Sequence, residues 1–463
     1  MRPFACFALG FLAPLAIGCG GKLASPSGSQ AASGASSGAP SGTSGSNSPA
    51  SSGTISGTGG DKTPGSAQAG DVTIDPGTVH QRIAGFGASS AWGYTYRDPT
   101  NDPQTLFGTT GSSAGLTLFR VRIQPNPPGT TSSGEITMAF TAQEMGATIW
   151  ATPWTPPTAD KSNNSIVQGT LTDPSAWAAT LVNYVARMKS DGINLYAISS
   201  QNEPDAVVMY ESCVYTGPML ASFVGSSLGP ALAGTGVKLM TPEAENWDSF
   251  ATFFQANSAD SAAWAATDIF AVHEYGGNPA AYPSIAAAGK EFWETEYYPM
   301  DNEDATIADG LEVANEMIQA LTVASVNAWH YWWFYPAGPG DNQALWDDGI
   351  NGWAKRLYVM GNFSRWARPG DHRIDVTGNP NDLPMVAFVS ATSGMVAIVA
   401  INAGTADRTV PFFVVGNDWP SSVTPWVTSA TQSLEEGTLI ALTAARFSAL
   451  LPAQSVTTFV GAP

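Results

Sequence analysis

A short apolar run that closes on a carboxylate and a proline constrains this chain more than any other stretch. Asn194 to Asp205 reads N-L-Y-A-I-S-S-Q-N-E-P-D. Leu195, Ala197 and Ile198, with few polar interruptions, have the texture of a buried parallel strand. Pro204 has no N–H with which to continue a ladder, so the strand ends at Gln201-Asn202-Glu203. Glu203 therefore stands at a C-terminal strand tip with the Asn202 amide beside it. In a (β/α)8 barrel that is the end where active sites are built. Taken singly, Glu203 reads equally well as the cap of a following helix. Far downstream, however, Lys290 to Tyr298 (K-E-F-W-E-T-E-Y-Y) is a second such strand, ending at Glu296. The pair points to chemistry.

The strands around this pair alternate with helical patterns. Val72-Thr73-Ile74 and Gln81-Arg82-Ile83 are short strand candidates that lead to Gly85-Phe86-Gly87-Ala88-Ser89. Thr117 to Ile123 alternates in period two, and Thr148 to Pro153 is the next apolar run. Asp173 caps a helix with Pro174 in its first turn, Trp177, Leu181, Val185 and Met188 repeat at helical spacing, and Asp191-Gly192 ends it. After Asn194–Ser199 come Lys238–Thr241, Asp268–Val272, Glu291–Glu296 and Val326–Phe334, separated by helical stretches such as Gly310 to Ala320. Counted from Ile83 the strands are eight, and Glu203 and Glu296 end the fourth and seventh. Such alternation predicts an α/β fold, a (β/α)8 TIM barrel over residues 71–370. Beyond Arg368-Pro369-Gly370 the texture becomes short strands with Gly, Asn and Pro between them: Met385–Val389, Met395–Val399, Thr409–Val415 and Ser455–Val460. Residues 371–463 are expected to form an antiparallel β side domain, with residues 71–80 pairing into it.

The N-terminus is not fold. Met1-Arg2, an apolar run from Phe4 to Ile17 and Gly18-Cys19-Gly20-Gly21 make an export signal over residues 1–18, too short to span a bilayer stably. The Gly18-Cys19 junction resembles a bacterial lipoprotein cleavage site, although Ala16 stands where a larger apolar residue is usual. Cys19 is the expected lipidation site, and plain cleavage near Gly18 is the alternative. Residues 19–70, nearly all Ser, Gly, Ala, Thr and Pro, are expected to be a flexible tether. An exported, cell-surface or periplasmic lipoprotein is expected, otherwise a secreted protein, touching a membrane only through that lipid. A formal charge of -19 argues against nucleic acid as a partner. After export only Cys213 remains, so no intrachain disulfide is expected. The four histidines, at positions 80, 273, 330 and 372, have no ligand-like spacing, so neither a metal nor any cofactor is predicted.

Hydrolysis of a glycosidic bond needs one carboxylic acid to protonate the leaving oxygen and one carboxylate to attack or to activate water. Strands four and seven face each other across a barrel mouth, which sets Glu203 as acid/base and Glu296 as nucleophile at the close separation of retaining enzymes. Asn202 would meet the sugar 2-hydroxyl. Glu294 competes for the nucleophile's role, but Glu296 stands at the tip. His273 shares a strand face with Tyr275 and is placed to line the sugar site. Trp92, Trp154 and Trp332 sit just past strand tips, placed to stack on sugars. Glu243 and Glu245, near strand five, read as solvated or loop-ordering residues.

Ser200-Gln201-Asn202-Glu203-Pro204 and Trp293-Glu294-Thr295-Glu296-Tyr297 resemble the catalytic strands of glycoside hydrolase family 30. The likeness extends through Ile83-Ala84-Gly85-Phe86-Gly87, Phe119-Arg120-Val121-Arg122, Thr152-Pro153-Trp154-Thr155-Pro156-Pro157, His273-Glu274-Tyr275, Trp332-Trp333, and Lys355-Arg356 through Phe363 to Gly370. It implies a barrel with a β side domain. It also implies that Arg120 holds the nucleophile ionised, that Tyr275 bonds it, and that Tyr297 belongs to the substrate site. The family's glucuronoxylan-specific members carry an arginine after strand eight. Here Phe334 to Gln343 has no cation before Lys355, and Asp341, Asp347 and Asp348 lie in or beyond it. The expectation is a monomeric retaining glycosidase that acts on a neutral polysaccharide or oligosaccharide, foremost β-1,4-xylan without need of glucuronate. β-Glucosidase, β-1,6-glucanase or glucosylceramidase action is the alternative, and a surface sugar-binding lipoprotein without catalysis the alternative of another class. Retention of Glu203, Glu296, Asn202 and Arg120 together favours the enzyme.

Overall fold

The computed structural model describes residues 65–92, 95–300, 304–336, 343–416 and 419–462. The export signal, Cys19, the tether up to residue 64 and Asp341 lie outside the described residues.

Eight parallel strands close a barrel: Gly85–Ser89, Leu118–Pro125, Thr148–Pro153, Leu195–Ser199, Lys238–Ala244, Ile269–His273, Glu291–Glu296 and Ala328–Trp333. The first pairs with both the second and the eighth, which completes the ring. It begins at Gly85 rather than Ile83. The Ile83 N–H is drawn instead to the Asp371 carbonyl at 2.7 Å, on the side-domain strand's approach. Gly85 then turns the chain inward at φ 144°, where a Cβ would meet Thr117 Oγ1 at 2.2 Å. The helix after the third strand, Pro174–Ser190, is capped by Asp173, which accepts the Ala176 N–H at 2.9 Å. It buries Trp177, Leu181, Tyr184 and Met188, the face set by their 3.6-residue spacing.

Alternation along the strands fills the barrel in layers. Leu118, Trp150, Ala197, Met240, Ile269, Ala271, Trp293 and Ala328 make an apolar plug within it. His330 caps this plug. Its Nε2 accepts the Trp150 indole N–H at 3.0 Å and its Nδ1 lies 3.0 Å from the Glu294 carbonyl, so the proton sits on Nδ1. Burial drives this imidazole down to about 3, leaving it neutral. The polar groups at the mouth thus rest on a dry floor.

The side domain is a ten-stranded sheet that is antiparallel apart from one pairing. Val72–Arg82 lies antiparallel to His372–Thr377 and parallel to Arg408–Val414. The two short pieces expected there are the ends of one strand whose register slips between Asp75 and Val79. Five strands of this sheet carry no clear sequence pattern: His372–Thr377, Ser422–Thr428 with its Pro425, the two-residue Glu435–Glu436 and Ile440–Ala441, and Arg446–Leu451. Phe412, Phe447 and Phe459 stack in the sheet's core. The barrel's last helix, Lys355–Ser364, ties the parts together, Asn362 Nδ2 donating to the Trp426 carbonyl and to Thr458 Oγ1, both at 3.0 Å.

Candidate active site

Arg120, pointing inward from the second strand and wholly buried, organises the mouth. One guanidinium nitrogen, Nη1, bonds Glu296 Oε2. The other, Nη2, donates to Asn202 Oδ1 at 2.6 Å and to Glu243 Oε1 at 2.8 Å, while Nε reaches Thr152 Oγ1 at 3.3 Å. Its plane lies against the Trp154 ring, 4.6 Å from the centroid. A buried guanidinium needs such full pairing, since an unpaired charge there would cost several kcal/mol.

The two strand-tip carboxylates meet across His273. Its Nδ1 is 3.2 Å from Glu203 Oε1 and 3.8 Å from Glu296 Oε1. An oxygen of Glu203 and one of Glu296 lie within 4.8 Å of each other. Tyr275 donates its hydroxyl to Glu296 Oε1 at 3.0 Å, and Tyr210 donates to Glu203 Oε2 at 2.6 Å. Glu203 adopts a left-handed φ of 43° and Glu243 one of 53°. Each such non-glycine conformation costs about 1–3 kcal/mol. They persist because the tips are bonded together: the Glu203 N–H donates to the Glu243 carbonyl at 3.0 Å and the Asn202 N–H to the Pro153 carbonyl at 2.9 Å.

Charge follows from this packing. Burial would discharge His273, yet Glu296, Glu203 and Glu243 around it push its imidazole up to about 10, so it is a cation at neutral pH. Burial also works against the charge on Glu243, but Arg120 and His273 bring that carboxyl below the ordinary range. The two strand-tip carboxyls are drawn apart. Burial raises both; His273 and Tyr210 draw Glu203 below the ordinary value, while the neighbouring Glu203 charge helps keep Glu296 above it.

The Glycosyl hydrolase family 30 TIM-barrel domain matches residues 135–295. Glucuronoxylanase XynC of Bacillus subtilis is 32% identical over 409 residues, covering 85% of this chain and 92% of that protein. The chain belongs to glycosyl hydrolase family 30. Among solved structures, the family 30 subfamily 8 xylanase of Clostridium acetobutylicum is 34% identical with a TM-score of 0.77, covering 85% of this chain and 100% of its own. A family 30 endoxylanase from Clostridium papyrosolvens C71 gives 32% identity and a TM-score of 0.72, at the same coverage. This family 30 protein is therefore an enzyme, a glycoside hydrolase.

The family 30 site gathers Glu203, Glu296, Asn202, Arg120, Tyr275 and His273 in one cluster. The three tryptophans cluster as well, with Trp92 to Trp154 at 4.9 Å and Trp154 to Trp332 at 5.7 Å. Trp154, however, is almost wholly buried with Arg120 on its ring, so it holds the guanidinium rather than offering a sugar platform. Trp333, stacked on Trp332 at 4.6 Å, joins them. Tyr297 is elsewhere. Being one residue past Glu296 it points outward, and its hydroxyl donates to Glu312 at 3.1 Å on the helix Ile307–Gln319. Glu243 is neither solvated nor a loop residue, but a buried partner of Arg120, its environment made by strands two, three and six. Glu245 is half-buried, and the side chain that ties its loop is that of Asp205, whose Oδ1 accepts the Glu245 backbone N–H at 3.0 Å.

Tyr210 carried no signal in the sequence, because it lies in an irregular loop. That loop is pinned from below by buried Lys161, whose ammonium bonds the Ser212 carbonyl and Thr155 Oγ1, and by Gln168 Nε2 on the Val208 carbonyl at 2.9 Å. Glu203, His273 and Glu296 are the grouping of described residues whose ligand atoms approach closely enough to hold a metal ion. Arg120 already supplies a positive charge at the Glu296 carboxylate, and a second cation there would be repelled.

Proposed function

We propose that this enzyme is a retaining endo-xylanase that cuts β-1,4-xylan without requiring glucuronate side groups. The observation that carries the retaining assignment is the approach of Glu203 and Glu296 oxygens to within 4.8 Å. Retaining pairs stand about 5–5.5 Å apart, whereas inverting pairs stand roughly 6.5–9.5 Å apart to admit a water. Glu296 attacks the anomeric carbon and Glu203 protonates the leaving oxygen. Positive charge developing on the sugar ring favours ionised Glu296, with the proton on Glu203, where it is needed. With Asn202 Oδ1 committed to Arg120, the amide's NH2 is the end that meets the sugar 2-hydroxyl.

The xylan assignment draws on the xylanase relatives. Independence from glucuronate draws on where the nearby cations are spent. Arg97, the guanidinium that approaches the segment after strand eight, is paired with Asp348 at 2.9 Å. Lys355 is tied to the Gln432 carbonyl at 2.8 Å, and Arg356 is buried against Asp309 at 2.5 Å. A charge-assisted bond to a uronate would contribute about 1.5–3 kcal/mol, or about 10- to 150-fold in specificity. The test is to digest glucuronoxylan and linear xylan, alongside β-1,6-glucan and aryl β-glucosides, and to map uronates on the products. Cleavage unrelated to uronate position supports the reading. One fixed spacing between uronate and reducing end overturns the independence, and activity confined to the glucosidic substrates overturns xylan itself.

We further propose that the chain is exported and tethered through lipidated Cys19.

A further inference from the structure

The reaction written above leaves one buried charge without a task. Glu243 accepts Arg120 Nη2 on Oε1 at 2.8 Å and the Thr152 hydroxyl on Oε2 at 3.0 Å. Its Oε1 also lies 3.7 Å from His273 Nε2, a buried ring nitrogen with no hydrogen-bond partner. Arg120 from strand two and His273 from strand six act on it directly, and its charge reaches His330 on strand eight. Glu203 from the tip of strand four and Glu296 from strand seven act on the same two cations. His330 is neutral. That leaves three carboxyls and two cations in one dry cluster.

The two chemical steps move charge through this cluster. In the first, a Glu296 oxygen bonds the anomeric carbon, and the bond to the leaving oxygen breaks with its electron pair. That oxygen takes the proton of Glu203. Glu296 is now a neutral ester and Glu203 an anion. In the second, water bonds the anomeric carbon and gives its proton to Glu203, while the ester C–O bond breaks and returns the Glu296 carboxylate.

Consider each cation in turn. Before the first step Arg120 faces two anions, Glu296 and Glu243. In the intermediate Glu296 has no charge left to offer, and Glu243 is the one carboxylate still bonded to the guanidinium. Over the same step His273 gains the Glu203 anion beside it. With Glu243 present, two anions match two cations in both states. Without it the cluster would carry an uncompensated positive charge throughout, and Arg120 would lose its last bonded carboxylate as the ester formed, which is strongly disfavoured.

We propose that Glu243 is the standing counter-ion of Arg120, a positioning residue that keeps the guanidinium neutralised and in place while Glu296 is an ester. The proposal rests on the retaining reading above. Glu243 divides the guanidinium between itself and the nucleophile, so Glu296 is held less tightly and yields its charge more readily.

The variant Glu243→Gln tests this on an activated aryl xylobioside, where kcat/KM follows the first step and kcat the second. Undivided Arg120 should hold Glu296 ionised to lower pH, moving the acidic limb of kcat/KM down by about one unit, a tenfold change in proton affinity. The value of kcat/KM should fall about tenfold or more, kcat should fall much less, and the burst of released phenol should shrink. Glu243→Asp keeps the charge one methylene away and should lie between the variant and wild type. If Glu243→Gln is not recovered folded, Glu243→Asp carries the test alone, with the same limb moving the same way by less. An unmoved acidic limb, or equal losses in kcat and kcat/KM, would overturn the proposal. A wild-type enzyme that shows no burst and releases an inverted product would instead overturn the retaining reading itself.

Discussion

Glu294 bends back along its own strand, and its Oε1 accepts the backbone N–H of Glu296 at 2.8 Å. Its Oε2 accepts the N–H of His330 on the next strand, also at 2.8 Å. Strands seven and eight pair at Ala328 with Trp293 and again at the bridge between Tyr297 and Tyr331, and the carboxyl wedges into the gap. Burial and the neighbouring Glu274 push it well above the ordinary range. With both oxygens spent on backbone N–H groups, Glu294 is suited to holding the Glu296 strand tip rather than to attacking a sugar. Glu294→Ala leaves two buried N–H groups unpaired at about 1–3 kcal/mol each. A lowered thermal unfolding midpoint should accompany lowered turnover, with Glu294→Gln intermediate. A variant as stable as wild type would show that the wedge is dispensable.

The proposed catalytic pair, Glu203 and Glu296, should separate by leaving group. Glu296→Gln should abolish turnover on every substrate. Glu203→Ala should retain turnover only where the departing oxygen needs no proton, as in dinitrophenyl glycosides, and azide should raise it by taking the place of the base. Rates on xylan and on an activated glycoside, with and without azide, check this. Identical behaviour of the two variants on the activated substrate would reverse or remove the assignment.

Tyr210 tunes the acid from outside. Its hydroxyl stabilises the ionised form of Glu203, which lies below the ordinary carboxyl range after burial has been offset by His273 and Tyr210. Tyr210→Phe removes that bond, so the Glu203 pKa rises and its proton is kept to higher pH. The limb of the xylan profile that Glu203 sets should therefore move up, while the Glu296 limb stays. A charge-assisted hydrogen bond of about 1.5–3 kcal/mol sets the scale, about one to two units. A profile that falls without shifting would leave Tyr210 no role beyond packing.

The proposed membrane attachment turns on one atom, the Cys19 sulfur. The full chain should partition into detergent, and Cys19→Ser should release it to the aqueous phase. A single acyl chain holds only marginally, so firm retention calls for several. Mass spectrometry of the mature N-terminus gives the independent check. Wild type that stays aqueous, with cleavage elsewhere, would leave the tether without an anchor.

Much of this was legible in the residues in order. Period-two and period-3.6 patterns are local, so barrel strands and the Asp173-capped helix announce themselves. Pro204 ends its own strand, and a strand tip in this fold is a functional address. Hence the chain's order alone marked Glu203 and Glu296. What the fold decided depends on which strands become neighbours when the barrel closes. Arg120 meets Glu243 only because strands two and five converge on one interior layer, and a glutamate beside Pro242 looks, in sequence, like any loop residue. Tyr210 reaches Glu203 only because Lys161 pins its loop. Glu294 and Glu296 share a face by period, but the gap beside strand eight turns one into a wedge. Tyr297 is sent outward by the alternation that sends Glu296 inward. Local periodicity says which way a side chain points; only the closed barrel sets what charge it meets there.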